Sequence, residues 1–210
     1  GAFTAFYAAA VACVQSDIKR VLAFSTISQI AFMVTSLGVA RPELHEGVGY
    51  MASMFHLFTH AMFKALLFLC AGAIIHAVHS NEMSAMGGLR KYMPICNIAF
   101  LIGCLAIAGI PPFAGFFSKF FIFASVAESK VFGDYVLVFL ALLNTIISLY
   151  YYLLVVKAMF INKSDSPIET IKIDAMSRVA LLVCVIAILV IGFISAIYMN
   201  IYDISFGFAN

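Results

Sequence analysis

The sequence has few charged residues, since 12 Lys and Arg together with 10 Asp and Glu make up only 10% of its 210 residues. Soluble domains carry about a quarter charged residues, because their surface must face water. Hydrophobic residues instead make up 64% of this chain. A soluble globular domain is therefore excluded, and most of the outer surface must face lipid. The net charge of +2 is too small and too dispersed to indicate binding to nucleic acid.

Cysteine pairs with metal-ligand spacing are also lacking. The chain has five cysteines, no CxxC motif, and most of its thiols lie within apolar runs. Disulfides, a zinc site and iron–sulfur ligation therefore have no support in the sequence. We expect these thiols to fill space against lipid or within the core: Cys13, Cys70, Cys96, Cys104 and Cys184.

The beginning of the chain lacks the basic flank of a signal peptide. Residues 1–14 instead form an apolar run that is already under way at Gly1. This run is too short to cross a membrane alone. We therefore expect it to be the end of a helix, and the chain to be a piece of a longer protein.

Long apolar segments follow, and they predict an all-α fold, a polytopic bundle of transmembrane helices. At about 20 residues per crossing, the length allows about five to seven such helices. The predicted segments are approximately 21–39, 49–78, 94–127, 135–160 and 180–198, with a polar linker from Lys163 to Arg178 around Pro167. Polar side chains in the segment 21–39 must face other helices or water: Ser25, Thr26, Ser28, Gln29, Thr35 and Ser36.

Two adjacent prolines interrupt the segment 94–127. Pro111 and Pro112 lack backbone N–H donors and clash with the preceding turn, so a helix cannot continue through residues 109–112. Irregular backbone at membrane depth is tolerated only where protein or a water-filled cavity satisfies its carbonyls. We therefore predict one discontinuous membrane helix here, beside a functional pathway.

Basic residues are distributed unequally between the two predicted faces of the membrane. One face receives eight of them, and the other receives Arg41 and Lys130. Loops on the cytoplasmic side are enriched in Lys and Arg, so the face with eight is predicted to be cytoplasmic or matrix-facing. The eight are Lys19, Arg20, Arg90, Lys91, Lys157, Lys163, Lys172 and Arg178.

Lys64 and Lys119 are the two basic residues left inside predicted membrane segments. A lysine at the bilayer centre costs about 3 kcal/mol on insertion scales, so it is rarely present without a use. Desolvation penalises the charged form of a buried amine, which lets such a group exchange a proton at accessible cost. We favour proton sites over snorkelling, in which the flexible stem carries the ammonium group to the interface.

His56, His60 and Lys64 recur every four residues, and each step of four advances a helix by about 40° and 6 Å. The three side chains therefore share one helix face. An imidazole can accept a proton on one nitrogen and release one from the other, so this series predicts a proton relay with water in the gaps. Two hydrogen-bonded core histidines or a metal site remain alternatives. Leu57 stands where a zinc-protease helix needs Glu, and a haem would need a facing axial histidine that no other segment obviously offers.

Four blocks carry a family resemblance when they are taken in order. They are Asp17–Gln29 (DIKRVLAFSTISQ), His56–Leu69 (HLFTHAMFKALLFL), Met86–Lys91 (MGGLRK) and Gly109–Lys119 (GIPPFAGFFSK). Together they closely resemble the antiporter-like membrane subunit of respiratory complex I, NADH-quinone oxidoreductase subunit L, which is called chain 5 in mitochondria. In that subunit Lys-Asp-Glu usually continues the last block, whereas here Phe120 and Phe121 follow Lys119. That continuation and the stretch 144–152 are more similar to the sister subunit N.

The resemblance implies a fold and a division of the chain. The family has inverted five-helix repeats, each of which forms a half-channel around a broken helix. Residues 1–161 resemble the second repeat, with a truncated first helix and the broken helix at 94–127. Residues 162–210 would be a cytoplasmic-side linker and one further transmembrane helix.

The resemblance also implies a function. The chain would translocate protons as a subunit of the NADH:quinone oxidoreductase translocase, in a bacterial or mitochondrial inner membrane. His56, His60, Lys64 and Lys119 would form the relay, with Asp17 and Lys19 near the proton entrance. FMN, iron–sulfur clusters and quinone would belong to other subunits, which would be its partners together with the lipid bilayer. A subunit of an Mrp-type cation/proton antiporter or of a membrane-bound hydrogenase, a purely structural membrane scaffold and a haem-binding bundle are the alternatives.

Overall fold

The structure is a computed structural model that describes residues 1–39, 48–128, 132–163, 174–194, 199–200 and 203–204. The regular elements within those ranges are helices, which confirms the predicted all-α bundle. They are α1 (Ala2–Cys13), α2 (Ile18–Val39), α3 (Val48–Val78), a 3₁₀ turn (Met83–Met86), α4 (Leu89–Tyr92), α5 (Pro94–Ala108), α6 (Ala114–Glu128), α7 (Phe132–Phe160) and α8 (Ala175–Phe193).

Four of these helices are long and apolar enough to cross a membrane. They comprise Ile18–Val39, Val48–Val78, Gly133–Phe160 and Ala175–Phe193. Their outward side chains are apolar, as on α7, where Phe139 and Ile146 are 59% and 65% exposed. The buried positions include serine, histidine, lysine and asparagine side chains. This polarity suits a lipid environment, because lipid tails accept the apolar exterior that water would reject.

Helix α3 lies at the centre of the bundle, in contact with α2, α5, α6 and α8. Helices α2 and α3 are antiparallel. Ser53 Oγ donates to Met33 O at 3.0 Å, and Ser36 Oγ donates to Gly49 O at 3.0 Å. Five of the six polar side chains named from the sequence are buried, with Ser25, Ser28, Gln29 and Ser36 fully inaccessible, and the sixth, Thr26, is half-buried.

Helices α5 and α6 follow one another along α3. Near the end of α3, Cys96 Sγ donates to Cys70 O at 3.5 Å, and near its beginning the Phe55 and Phe121 rings lie 6.1 Å apart. Residue numbers along α5 and α6 thus increase while the residue numbers of their contacts on α3 decrease. The two helices occupy successive parts of one antiparallel path.

The predicted interruption lies between α5 and α6. Gly109 ends α5 with a φ of 80°, in the left-handed region that favours glycine, and its N–H donates to Ala106 O at 3.1 Å. Pro111 and Pro112, which are joined by a cis peptide bond, follow in the connection. Helix α6 begins so close to α5 that a side chain on Gly115 would overlap the carbonyl oxygen of Ala106. The helix interruption that the two prolines predict is therefore present between α5 and α6.

The last helix departs from its predicted bounds. We expected it at 180–198 with Arg178 in the linker, but α8 begins at Ala175 and ends at Phe193. The reason is an N-cap, because Asp174 Oδ2 accepts the Ser177 N–H at 3.1 Å. Hydrogen bonding from the Ser177 side chain, and then from this backbone N–H, holds the pKa of Asp174 below its usual range. Residues 195–198 lie outside the described residues.

Backbone contacts bring several basic loops to one end of the bundle. Ile18 N–H donates to Asn81 O at 3.0 Å, which joins the start of α2 to the loop after α3. Gly88 N–H donates to Asn162 O at 2.9 Å, which joins that loop to the end of α7. Lys19, Arg20, Arg90, Lys91 and Lys163 therefore share one end, as the predicted orientation requires. Arg41, Lys130, Pro167 and Lys172 lie outside the described residues.

Candidate functional site

Lys64 is buried where α2, α3 and α7 meet, with 6% of its surface exposed. Its Nζ donates to Leu22 O at 2.8 Å, to Ser25 Oγ, and to Tyr152 Oη at 3.2 Å. The Tyr152 hydroxyl donates to Ser25 Oγ at 2.8 Å, and the Ser25 hydroxyl donates to Leu22 O at 2.7 Å. Three neutral oxygen acceptors thus match the three N–H donors of an ammonium group.

The Lys64 site contradicts the snorkelling alternative. A snorkelling lysine carries its ammonium group to the polar interface, but Lys64 Nζ is bound to buried atoms of two neighbouring helices. The hydrogen bonds to α2 lie about 6 to 10 Å along that helix from its first residue, Ile18. The amine is therefore held within the bundle.

His56 and His60 lie on the same face of α3 as Lys64, as their spacing predicts. Their ring centroids are 6.1 Å apart, and both rings contact the edge or face of Phe63. His56 Nδ1 lies 2.9 Å from Ser118 Oγ on α6. The Ser118 hydroxyl also lies within hydrogen-bond distance of Gly115 O, at 3.2 Å, so the tautomer of His56 decides which of the two atoms donates in the first bond.

Lys119 lies on α6 directly after Ser118 and is 2% exposed. Its Nζ lies 5.8 Å from the centroid of the Phe32 ring on α2, within the range of a cation–π contact. A side chain on Gly109 would approach Lys119 Cδ to 3.3 Å, so the glycine at the helix break leaves room for this lysine. The break between α5 and α6 thus places Lys119 in the interior.

Several buried polar atoms of this region have no hydrogen-bond partner within the described residues. They are His56 Nε2, His60 Nε2, Lys119 Nζ, and both Nε2 and Oε1 of Gln29. Buried polar groups almost always bond to protein or to ordered water. These atoms are therefore available to bind water.

Asp17 and Lys19 lie at the beginning of α2, outside the buried group. Asp17 Oδ1 accepts the N–H groups of Lys19 at 2.7 Å and of Arg20 at 3.1 Å, so its side chain caps α2. The Leu22 carbonyl that binds Lys64 is about 7 Å further along the helix axis. Asp17 thus has a structural role in addition to the predicted one near the entrance.

Sequence reasoning directed Ser25 toward other helices or water but assigned neither it nor two further polar residues to the site: Ser25 and Tyr152 lie beside Lys64, and Ser118 lies beside His56. We expected Tyr150, Tyr151 and Tyr152 to serve packing and interfacial anchoring. Tyr150 is 56% exposed, but Tyr151 and Tyr152 are each 1% exposed. The signal was the i, i+4 series Asn144, Ser148 and Tyr152 on an otherwise apolar helix, and each of these side chains is buried.

Across residues 1–39, 48–128, 132–163 and the shorter described ranges, no three His, Cys, Asp or Glu side chains come together in a way that could hold a metal ion.

The apolar exterior, the spanning helices and the buried lysines define a class, the multi-pass integral membrane proteins with ionisable groups inside the bundle. Residues 1–148 match the model of a family described as NADH:quinone oxidoreductase/Mrp antiporter, transmembrane. The chain belongs to this family, which confirms the resemblance found in its sequence blocks.

Two relatives and one solved structure agree with this assignment. The chain is 40% identical over 195 residues to NADH-quinone oxidoreductase subunit N of Azobacteroides pseudotrichonymphae genomovar. CFP2, a match that covers 92% of this chain and 39% of that one. It is 52% identical over 128 residues to NAD(P)H-quinone oxidoreductase chain 5 of Synechocystis sp., covering 57% and 18%. A chain of respiratory complex I from Thermus thermophilus with bound NADH matches with a TM-score of 0.83 at 25% identity, covering 99% and 42%.

The chain therefore spans well under half the length of these relatives. The two curated relatives are named as an N-type and a chain 5 subunit, so the mixed character of the motifs recurs among the matches. The family assignment is common to both.

Proposed function

We propose that this chain is part of a proton-translocating membrane subunit of an NADH:quinone oxidoreductase. The observation that carries the proposal is the buried Lys64, whose ammonium group is held by three neutral acceptors and lies on one helix face with His60 and His56. Such a group is costly in a membrane unless it has a use. Proton transfer is the use that fits a lysine in line with two imidazoles.

The sequence alone suggested that protons pass from Asp17 and Lys19 through His56 and His60 to Lys64, and then to Lys119. The proposed path instead follows the spatial order of these residues, in which Lys64 lies nearest the start of α2. Protons enter near Asp17 and Lys19 and reach the amine of Lys64, which bonds to the first turns of α2. They exchange with His60 and His56, and His56 is joined through Ser118 to the segment that carries Lys119. Lys119 then passes them toward the opposite face. Hydration and rearrangement of these side chains, driven by redox chemistry elsewhere, would give the transfer its direction.

The proposal extends to the architecture and the partners. Residues 1–161 would form one five-helix repeat, with α5 and α6 as its single broken crossing, and residues 162–210 would add a linker and a further helix. The redox groups, FMN, iron–sulfur clusters and quinone, would be held by other subunits. The partners would be other membrane subunits of the same complex and the surrounding lipid.

Replacement of Lys64 tests the proposal in the full-length protein within its assembled complex. Lys64→Met removes the amine, and Lys64→Arg keeps a cation that does not release its proton. We expect both to lower the rate of proton pumping about tenfold or more, a loss of rate that corresponds to at least about 1.4 kcal/mol. Pumping would be measured in vesicles by a pH-sensitive dye during NADH oxidation.

Lys157→Met is the matched control, because Lys157 is an exposed lysine in the last turn of α7. We expect it to pump normally. Normal pumping by both Lys64 variants, in complexes that assemble fully, would contradict the relay and favour a purely structural role. Lys119→Met should impair pumping in the same assay.

A subunit of an Mrp-type cation/proton antiporter is a second candidate, because the matching family description includes those proteins. The complex purified with the full-length protein separates the two. Copurifying flavin and iron–sulfur absorbance indicates the oxidoreductase, whereas their absence together with sodium-dependent proton exchange indicates the antiporter.

A further inference from the structure

Gln29 is a fully buried residue of α2 whose amide has no hydrogen-bond partner within the described residues, either at Nε2 or at Oε1. Burial of an amide costs free energy when neither its N–H groups nor its oxygen has a hydrogen-bond partner. A buried amide of this kind therefore requires a partner. Neighbouring Ser28, by contrast, donates to Ala5 O at 2.9 Å and accepts from Asn144 Nδ2 at 3.0 Å. The unsatisfied amide is thus specific to one face of α2.

That face of α2 joins the two lysine sites. Ser25, one turn before Gln29, binds Lys64 Nζ, and the Phe32 ring, one turn after it, faces Lys119 Nζ. Positions 25, 29 and 32 lie within about 60° of one another around the helix, and the amide is about 6 Å from Ser25 and 4 to 5 Å from Phe32 along its axis. Gln29 therefore stands between the two sites.

The facing helix supplies further groups of the same kind. The antiparallel pairs Met33–Ser53 and Ser36–Gly49 place Gln29 opposite the turn of α3 that carries His56 and His60. Nε2 of each of these histidines is buried and, among the described residues, also has no partner. Polar atoms that converge in this way are the usual partners of buried water, which makes about three hydrogen bonds.

We infer that the Gln29 amide holds a water molecule that connects the Lys64–His60 part of the relay to Lys119. The inference rests on the proposed function. Gln29 is a positioning residue, because an amide does not titrate: its Nε2 donates and its Oε1 accepts, which fixes the orientation of water between groups that do. Proton transfer along such water needs a continuous chain of donors and acceptors, and Gln29 supplies the step that side chains alone leave open.

Gln29→Met tests the inference, since it keeps the length of the side chain and removes both polar atoms. In the assembled complex we expect the rate of proton pumping to fall about tenfold, the effect of losing about one hydrogen bond from the path. Gln29→Asn retains an amide and should recover much of the pumping. Asn97→Leu is the matched control, because Asn97 is a buried amide on α5 whose Oδ1 also lacks a partner in the described part of the chain.

The outcomes separate the inference from the proposed function. If Gln29→Met pumps normally and the complex unfolds at the same or a higher temperature, the amide is only an unpaired buried group and the inference is wrong. That result leaves the proposal intact if the Lys64 variants fail to pump. If the Lys64 variants pump normally, the proposed function fails whatever Gln29 does.

A direct observation needs no variant. A structure of the complete complex that resolves water should show one within about 2.7–3.2 Å of Gln29 Nε2 or Oε1 and within reach of His60 or Lys119. A side chain from another part of the full-length protein that bonds both amide atoms instead would overturn the inference.

Discussion

At the scale of single residues, the Lys64 site shows what a membrane interior demands of a cation. The ammonium group has three donors and meets three oxygen atoms, one from the backbone of α2, one from Ser25 and one from Tyr152. None of these acceptors is a carboxylate. The site therefore stabilises the amine by dipoles, which remain in place when the proton leaves.

Removal of one acceptor of the Lys64 ammonium group should lower proton pumping. Tyr152→Phe keeps the ring and deletes the hydroxyl that accepts from Lys64 and donates to Ser25. We expect the rate of proton pumping to fall about threefold to tenfold, since a hydrogen bond to a charged group contributes about 1.5–3 kcal/mol and part of it can be replaced by water. Pumping by vesicles that contain the assembled complex would be measured as a function of pH.

Tyr150→Phe is the control for this variant, because Tyr150 belongs to the same tyrosine triplet and is 56% exposed. It should leave the pH profile unchanged. An unchanged profile for Tyr152→Phe would show that the phenol has no part in the proton chemistry of Lys64.

Spacing within one helix could be predicted from the sequence, whereas contacts between helices could not. The series His56, His60 and Lys64 follows from the geometry of a single helix, and the structure places it on one face as expected. Ser25 and Tyr152 are 39 and 88 residues from Lys64 in the chain, so their contact depends on how three helices pack. A single sequence has no local signal for such a meeting.

At the scale of helices, the close contact between α5 and α6 depends on glycine. A side chain on Gly115 would overlap Ala106 O, and backbone atoms cannot move aside as a flexible side chain can. We expect Gly115→Ala to push α6 away from the end of α5 and displace Ser118 and Lys119. The complex should lose about 1–3 kcal/mol of folding stability, the usual cost of overpacking a core. Pumping should fall together with stability.

Gly72→Ala is the matched control within α3, because a side chain there would meet no atom within 4 Å. Alanine in an open helical position is neutral or slightly stabilising. Thermal unfolding of the two variant complexes, followed by light scattering, would compare them. Equal stability of the Gly115→Ala and wild-type complexes would show that α5 and α6 can separate without cost.

The helix break could be predicted from Pro111 and Pro112, because proline acts on its own turn. The beginning of α8 could not, since composition gave more weight to Ser177 and Arg178 as linker residues than to Asp174 as a cap. A membrane-spanning helix can include a polar first turn where an N-cap satisfies its N–H groups. Hydropathy alone therefore set the predicted boundary too late.

At the scale of the whole molecule, the clustering of basic residues at one end makes the orientation testable. We expect Lys91→Cys, in a background without native cysteines, to react with a membrane-impermeant maleimide added from the cytoplasmic or matrix side, because Lys and Arg are retained there. Lys91 is exposed in α4, so its accessibility is set by the side of the membrane. Labelling would be measured by a mass shift on gels.

Gly133→Cys is the control for the opposite face of the membrane, because Gly133 is exposed at the start of α7. It should react only from the other side. Labelling of Lys91→Cys from that side would reverse the orientation and, with it, the direction of the proposed path from Asp17 to Lys119.

The position of Lys64 and Lys119 along α2 also has an electrical consequence. Their contacts at Ser25 and Phe32 are about 10 Å apart along that helix, which is about a third of a hydrocarbon core about 30 Å thick. A unit charge that crosses the whole membrane at 100 mV does about 2.3 kcal/mol of work, so this one step does about 0.8 kcal/mol of it. In the proposed path, transfer between the two lysines would thus be a voltage-dependent step, and the membrane potential that pumping builds would slow it.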